Sequence, residues 1–282
     1  MDILTQLLDS ETGISGPLFW GSIIVVALWE VLLPLRPLTH SVMVRWLSNI
    51  GIAVFTYALL RWTIGFLTFD VAIAAEQHGW GLLHMSALSP WAAVVLGLLW
   101  LDLVSYAIHR VFHRIPVLWR VHRLHHSDPD VDFTTARRHH PFEPLLIWPL
   151  TALAVLAAGA PPLSLLLWGA IIGVLALFQH GNFALPDGLD RVLRWVIVTP
   201  AMHRVHHSAL RPETDSNYGQ VFPWWDRLFR TYCAHPEGGY EGMTLGLEYF
   251  REPEEQYFHR LLLQPFLTAE ASHPIEAPRE NG

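Results

Sequence analysis

The chain has 282 residues, of which 52% are hydrophobic and only 15% charged, with a mean hydropathy of +0.30. A soluble domain carries about 25% charged residues, so this is the composition of a membrane protein, long enough for one sizeable domain. A formal charge of -7 argues against a nucleic-acid partner, which favours a basic face, and a single cysteine, Cys233, excludes an internal disulfide, a CxxC zinc ribbon and a cysteine-ligated iron–sulfur cluster.

A membrane-crossing helix needs about 20 mostly apolar residues. Residues 18–33 are the first such stretch, interrupted only by Glu30. The segment before it holds Asp2, Asp9 and Glu11 and no basic residue, so it lacks the positive start of a signal peptide and reads as a retained span. Residues 46–69 form the second stretch, with Arg61 inside it, and 91–108 the third, with Asp102 inside it. Two shorter apolar arms, 144–158 and 163–178, flank Gly159-Ala160-Pro161-Pro162. Paired prolines cannot continue a helix, so the arms form a helical hairpin.

The expected fold class is therefore all-α and integral to the membrane: about four transmembrane helices or hairpin units, with a cytosolic histidine-rich helical cap. We expect a single domain over 1–282, with N-terminal spans in 17–108, a histidine-box region in 109–236 that includes the hairpin 144–180, and a soluble tail in 237–282 that is disordered from 270. Basic residues in short loops mark the cytoplasmic face. Arg36 and Arg45 separate the first two spans, six arginines from Arg110 to Arg138 follow the third, and Arg191, Arg194 and Arg204 follow the hairpin, whereas loop 70–90 has Asp70 and Glu76 and no basic residue. This places the N-terminus outside and every histidine cluster inside, in a bacterial inner membrane or, in a eukaryote, the ER membrane.

The 17 histidines are grouped. His109 and His113 close the third span. His122, His125 and His126 follow, then His139 and His140 before Pro141, then His180 at the end of the hairpin, and finally His203, His206 and His207. On a helix, positions i, i+3 and i+4 share one face, so the pair and each triplet can ligate together. The adjacent members of a triplet diverge by about 100°, which lets one address one metal and its neighbour a second. Two triplets and a pair supply eight imidazoles, too many for a single zinc, and His140 and His180 raise the number to ten. The remaining histidines, His40, His78, His84, His235, His259 and His273, read as surface groups.

These boxes resemble the fatty acid hydroxylase superfamily, also called the sterol desaturase family. The likeness runs from about 102 to 232. It rests on His109-x3-His113, His122-x2-His125-His126, His140-Pro141-x-Glu143, His180-Gly181-Asn182, His203-x2-His206-His207, Asn217-Tyr218-Gly219 and Trp225-Asp226-Arg227 in order. The His140-Pro141-x-Glu143 element is closer to the sterol desaturase and methyl oxidase branches than to the alkylglycerol monooxygenase branch. The resemblance implies a non-haem di-iron oxidoreductase that uses O2 to hydroxylate or desaturate a lipid. It implies His109, His113, His122, His125, His126, His140, His180, His203, His206 and His207 as metal ligands. It also implies external NAD(P)H-derived electrons, delivered by a separate ferredoxin or cytochrome b5 type partner with its reductase. The sequence holds no G-x-G-x-x-G of its own for a flavin or nicotinamide.

Two carboxylates are candidates for catalytic support. Asp102 lies seven residues before His109 on the same helix face, and a carboxylate inside a span is a functional candidate, here as acceptor of a ligand N–H. Glu143, three residues after His140, is the other. Asn217 and Asp226 are further candidates. Two alternative functions fit less of the pattern. A membrane zinc hydrolase would carry H-E-x-x-H, and here Arg, Leu and Val fill the internal positions. A haem or metal transport protein would place histidines mid-span on several helices. Ser127 and Ser208 follow histidine pairs, but no G-x-S-x-G elbow accompanies them.

Overall fold

A computed structural model describes residues 15–64 and 67–268. Its main helices are α1 (Ser15–Leu32), α2 (Val42–Thr63), α3 (Leu67–His78), α4 (Pro90–Arg114), α5 (Pro116–His126), α6 (Phe142–Ala158), α7 (Pro162–His180), α8 (Asp187–Leu193) and α9 (Pro200–His206). Among the described residues there is no β-strand, and one isolated antiparallel bridge joins Ser208 to Leu245. α2, α4 and α7 are long and apolar enough to cross a membrane, while Gly16–Leu32 and Phe142–Ala158 are shorter apolar helices. A helix is the spanning form that satisfies its own backbone in lipid. Outward-facing Trp20, Ile24, Val54, Tyr57, Trp62 and Val95 are exposed, which suits an apolar solvent.

Local chemistry sets the helix ends. Ser41 and Ser89 cap α2 and α4 by accepting from Val44 N and Ala92 N, and Pro90 occupies the first turn of α4, where a missing N–H costs nothing. α6 ends at Gly159 in the left-handed region, and α7 begins at Pro162. A Cβ on Gly159 would meet Trp80 O at 2.3 Å, and one on Gly81 would meet Gly159 N at 2.1 Å. The hairpin tip can therefore sit on the 79–85 turn only with glycine at both places. Gly97 of α4 faces Ser164 of α7, whose hydroxyl donates to Val94 O at 3.1 Å, so small residues bring these two spans together.

The end of α1, the start of α2, the end of α4, the start of α6 and the end of α7 meet at one face. Polar contacts lace them together. Leu35 N donates to Asn182 O at 2.9 Å. Arg45, fully buried, forks onto Asp128 at 2.9 Å twice and reaches Asp132 at 2.7 Å. Glu30 accepts from Phe133 N at 2.9 Å and Asn182 N at 2.7 Å. Arg45, Arg123, Arg138 and Arg204 are all buried braces, so the arginines counted above as loop charge also serve the interior.

Three expectations change. The apolar run 46–69 is divided, because α2 ends at Thr63 and α3 starts at Leu67 and packs against α6. Asp70 and Glu76 thus lie exposed on a helix rather than in a loop; hydropathy is continuous across this break and does not register it. The stretch 239–267, expected as soluble tail, packs back on the helices. Its helix Phe258–Leu263 lies on α2, with Leu261 buried beside Ile52 and Leu124. Arg120 donates to Pro265 O, and Arg123 to Gln264 O and Leu267 O. The acidic run before it masks this short apolar turn in average composition. The disorder expected from 270, together with Asp2, Asp9, Glu11 and His273, lies outside the described residues.

Candidate metal centre

Nine buried imidazoles converge where these helix ends meet. His109, His113, His122, His126 and His206 form one group and His125, His180, His203 and His207 a second, with the nitrogens of each group all within 4.8 Å of one another. Each triplet divides between them as helical geometry requires. His126 and His206 turn to the first group, while their neighbours His125 and His207 turn to the second; the rings of His125 and His126 stand at 89° and those of His206 and His207 at 87°.

The nitrogens that face inward are Nε2. In the first group His109 lies 3.1 Å from both His122 and His206, and His122 lies 3.2 Å from His126. In the second, His180, His203 and His207 form a triangle with edges of 3.0, 3.2 and 3.2 Å, and His125 lies 3.2 Å from His180. A neutral imidazole has one N–H. Three nitrogens in mutual contact cannot match donor to acceptor on all three edges, so one edge sets like against like. A cation among them would take every lone pair. Two metal–nitrogen bonds of about 2.1 Å at roughly a right angle span about 3.0 Å, so the spacing also fits an ion. In the first group, His113 Nε2 is buried with no hydrogen-bond partner, an orphan that the same kind of ion would satisfy. Burial first, then the neighbouring imidazoles, holds His125, His126, His203, His206 and His207 well below the ordinary histidine range, so these rings are neutral at neutral pH, the form a metal ion would need.

The outward nitrogens fix ring orientation. His109 Nδ1 donates to Tyr218 O at 2.9 Å, His206 Nδ1 to Ser216 O at 2.6 Å and His180 Nδ1 to Ala176 O at 2.7 Å. His113 Nδ1 lies 3.3 Å from Asp215, and His122 Nδ1 lies 2.9 Å from Glu143 Oε1. An acceptor on Nδ1 sets the tautomer that turns the Nε2 lone pair inward. Glu143 Oε1 also meets His139 Nδ1 at 3.0 Å, and the His139 ring stacks on His125 at 4.5 Å.

Two expected roles are corrected by this geometry. His140 joins neither group. Its Nδ1 accepts from Phe142 N at 3.2 Å, at the start of α6, and its Nε2 donates to Leu262 O at 3.3 Å. Pro141 lies just before the helix, and His140 is turned to the free N–H of Phe142 rather than to the cage. Asp102 touches no imidazole. Its oxygens accept from Val221 N and Phe222 N, both at 3.1 Å, and from Trp225 Nε1 at 2.8 Å. Two helical turns before His109, it is aligned with the loop that covers the cage, not with the cage. Glu143 acts through His122, not through His140.

Sequence reasoning missed the covering loop 215–222 as a source of ring acceptors. Asp226 accepts from Tyr218 N at 2.9 Å and Gly219 N at 2.8 Å, and Asn217, at φ 49°, pairs with Cys233 N and O. Asp102 and Asp226 thus clamp the loop whose carbonyls hold His109 and His206. The Asn217-Tyr218-Gly219 and Trp225-Asp226-Arg227 boxes are the signal that pointed there. His40, expected at the surface, bonds Asp130 at 3.1 Å and Arg251 O at 2.8 Å.

Residues 94–231 match the fatty acid hydroxylase family, an interval that contains all nine cage histidines. The family likeness thus covers the segment that holds the cage, just under half of the chain. An ornithine lipid hydroxylase of Rhizobium tropici is 35% identical over 144 residues, covering 51% of this chain and 42% of the relative. An alkylglycerol monooxygenase of Xenopus tropicalis is 30% identical over 201 residues, covering 68% and 43%. A fatty acid hydroxylase of a Lecanicillium species is 30% identical over 180 residues, covering 58% and 49%. The chain thus spans less than half the length of these relatives, and alkylglycerol monooxygenases stand among them despite the His140-Pro141-x-Glu143 element. No solved structure matches.

Proposed function

We propose that this chain is a lipid hydroxylase with a di-iron centre and O2 as co-substrate. The observation that carries the reading is the pair of Nε2 groups, five and four, sharing one buried cage where the helix ends meet. When bound, the metal pair would supply oxygen activation against an unactivated C–H bond; neutral imidazoles suit iron. His109, His113, His122, His126 and His206 would hold one ion, and His125, His180, His203 and His207 the other. Tyr218 O, Ser216 O, Ala176 O, Asp215 and Glu143 keep five of these rings in register. Burial of all nine excludes bulk water from the reacting space.

The names of the relatives favour insertion of a hydroxyl over formation of an alkene. A lipid substrate would reach the cage laterally from the bilayer, because the cage lies at the ends of the apolar helices. Electrons would come from a separate ferredoxin or cytochrome b5 type carrier and its NAD(P)H-dependent reductase, docking on the face that holds the histidines, which we place in the cytoplasm. The test is metal analysis of detergent-purified protein from iron-supplemented cells, followed by incubation with membrane lipid, reductase and 18O2. About two metals per chain and one labelled oxygen in a lipid product are expected. Folded protein with one metal or none, or a product without label, overturns the reading.

A further inference from the structure

An apolar surface lies outside the spans, on two segments that follow the hairpin. Val192, Trp195 and Val196 on one, and Trp224, Leu228 and Phe229 on the other, are all 40% exposed or more. The segments form a single body. Trp224 Nε1 donates to Trp195 O at 2.7 Å, Arg227 donates to Arg194 O at 3.0 Å, and the Arg227 guanidinium lies 3.9 Å from the Trp195 ring centroid.

We propose that segments 189–196 and 224–229 form a non-spanning footing embedded in the lipid bilayer beside α4. Depth carries the argument. Phe229 stacks on Tyr106 at 5.5 Å and 18°, and Trp225 Nε1 donates to Asp102 at 2.8 Å. Both partners belong to α4, within the apolar run that ends at Ile108. At 1.5 Å per residue, Tyr106 lies about 3 Å and Asp102 about 9 Å below that end. The chain around 222–229 therefore runs back down the side of a span, to the depth of about 5–10 Å at which interfacial elements bury their apolar face.

α4 itself exposes Val95, Leu96 and Val111. The residue types of the patch agree with this site. Tryptophan is favoured at the level of the headgroups, and Arg191 and Arg230, next in the chain to Val192 and Phe229, are exposed, where long cationic stems can carry their charge up to the phosphates. A contiguous apolar patch of this kind in water would need another occupant; one that begins alongside a span already has one. The footing does not depend on metal or on catalysis, so it stands or falls apart from the proposed hydroxylase activity.

Site-directed spin labelling tests it on the full chain in phosphatidylcholine vesicles. Cys233→Ser removes the lone cysteine, and Val192→Cys, Leu228→Cys and, as an aqueous control, Glu254→Cys each accept a nitroxide at an exposed position. Lipid embedding predicts frequent collision with oxygen and rare collision with a water-soluble nickel chelate at 192 and 228, and the reverse at 254. Free access of the chelate to 192 and 228 overturns the proposal in favour of water. Low access to both reagents, with dipolar broadening between labels, overturns it in favour of a second copy of the chain.

Discussion

Asp102→Asn isolates the clamp that holds the loop over the cage. An asparagine keeps one oxygen, which at the Oδ2 position still accepts from Phe222 N and Trp225 Nε1, but it presents an NH2 group to Val221 N. One buried backbone donor is left without a partner, costing about 1–3 kcal/mol. The loop carries Ser216 O and Tyr218 O, the acceptors of His206 and His109. Its loosening should therefore also weaken metal at the five-histidine group, by up to about 10-fold, the low end for loss of an acceptor behind a ligand. The assay is paired: the thermal midpoint in detergent and the metal content after dialysis against graded chelator. Asp102→Ala frees all three donors and should show both effects more strongly. An unchanged midpoint and unchanged chelator resistance in both variants would refute the clamp. Loss of turnover with full metal retention and full stability would instead assign Asp102 a direct part in the chemistry.

Three further outcomes follow from the cage. His125→Ala and His206→Ala, one from each group, should abolish turnover and lower metal content, whereas His140→Ala and His235→Ala should keep the wild-type metal content; elemental analysis of the four proteins decides it, and metal loss in the His140 variant would return that ring to the ligand set. Glu143→Gln removes the carboxylate charge behind His122 and should weaken metal binding about 10–100-fold, read by competition with a chromogenic chelator; wild-type affinity would show that Glu143 orients nothing. Because burial and neighbouring imidazoles depress His125, His126, His203, His206 and His207, the native state binds fewer protons than the unfolded chain once pH falls below about 6.5. Stability of the metal-free protein should thus be level above that pH and decline as pH drops from about 6.5 to about 5, and a melting midpoint flat across the range would count against neutral, crowded rings.

The parts of this site that sequence made legible are those fixed by local geometry. The i, i+3, i+4 triplets and the divergence of His125 from His126 follow from helical pitch alone, and Gly159-Ala160-Pro161-Pro162 places the hairpin turn. What sequence could not supply is long-range. Val221 N and Phe222 N lie 119 and 120 residues from Asp102, and spacing within α4 gives no hint that its carboxylate serves a loop. The place of His140 is not legible in the box pattern, which says nothing of the contact it makes with Phe142 N at the start of α6, nor of Leu262 O arriving from a segment whose mean composition looks soluble. The division of α2 from α3 depends on a backbone turn at Ile64, where hydropathy does not change.

The pins of the cage also predict what metal removal does. In a zinc finger, binding free energy is folding free energy, and the apo chain is unfolded. Here each histidine-bearing segment is held by groups that contact no metal. Glu30 on α1 pins Phe133 N and Asn182 N, the latter two residues after His180. Arg45 on α2 holds Asp128, two residues after His126, and Asp102 and Asp226 hold the loop that covers the cage at His109 and His206. The bridge from Ser208 to Leu245 fixes the end of the second triplet. Stripping the metal leaves these contacts in place and exposes only the frustrated Nε2 edges, which ring rotation or water can relieve. Exhaustive chelation in detergent should therefore preserve the far-ultraviolet helical signal and lower the melting midpoint without abolishing the transition, and metal should rebind without refolding. Loss of helicity on chelation would mean that the ions, and not these buried carboxylates and guanidinium groups, hold the helix ends together.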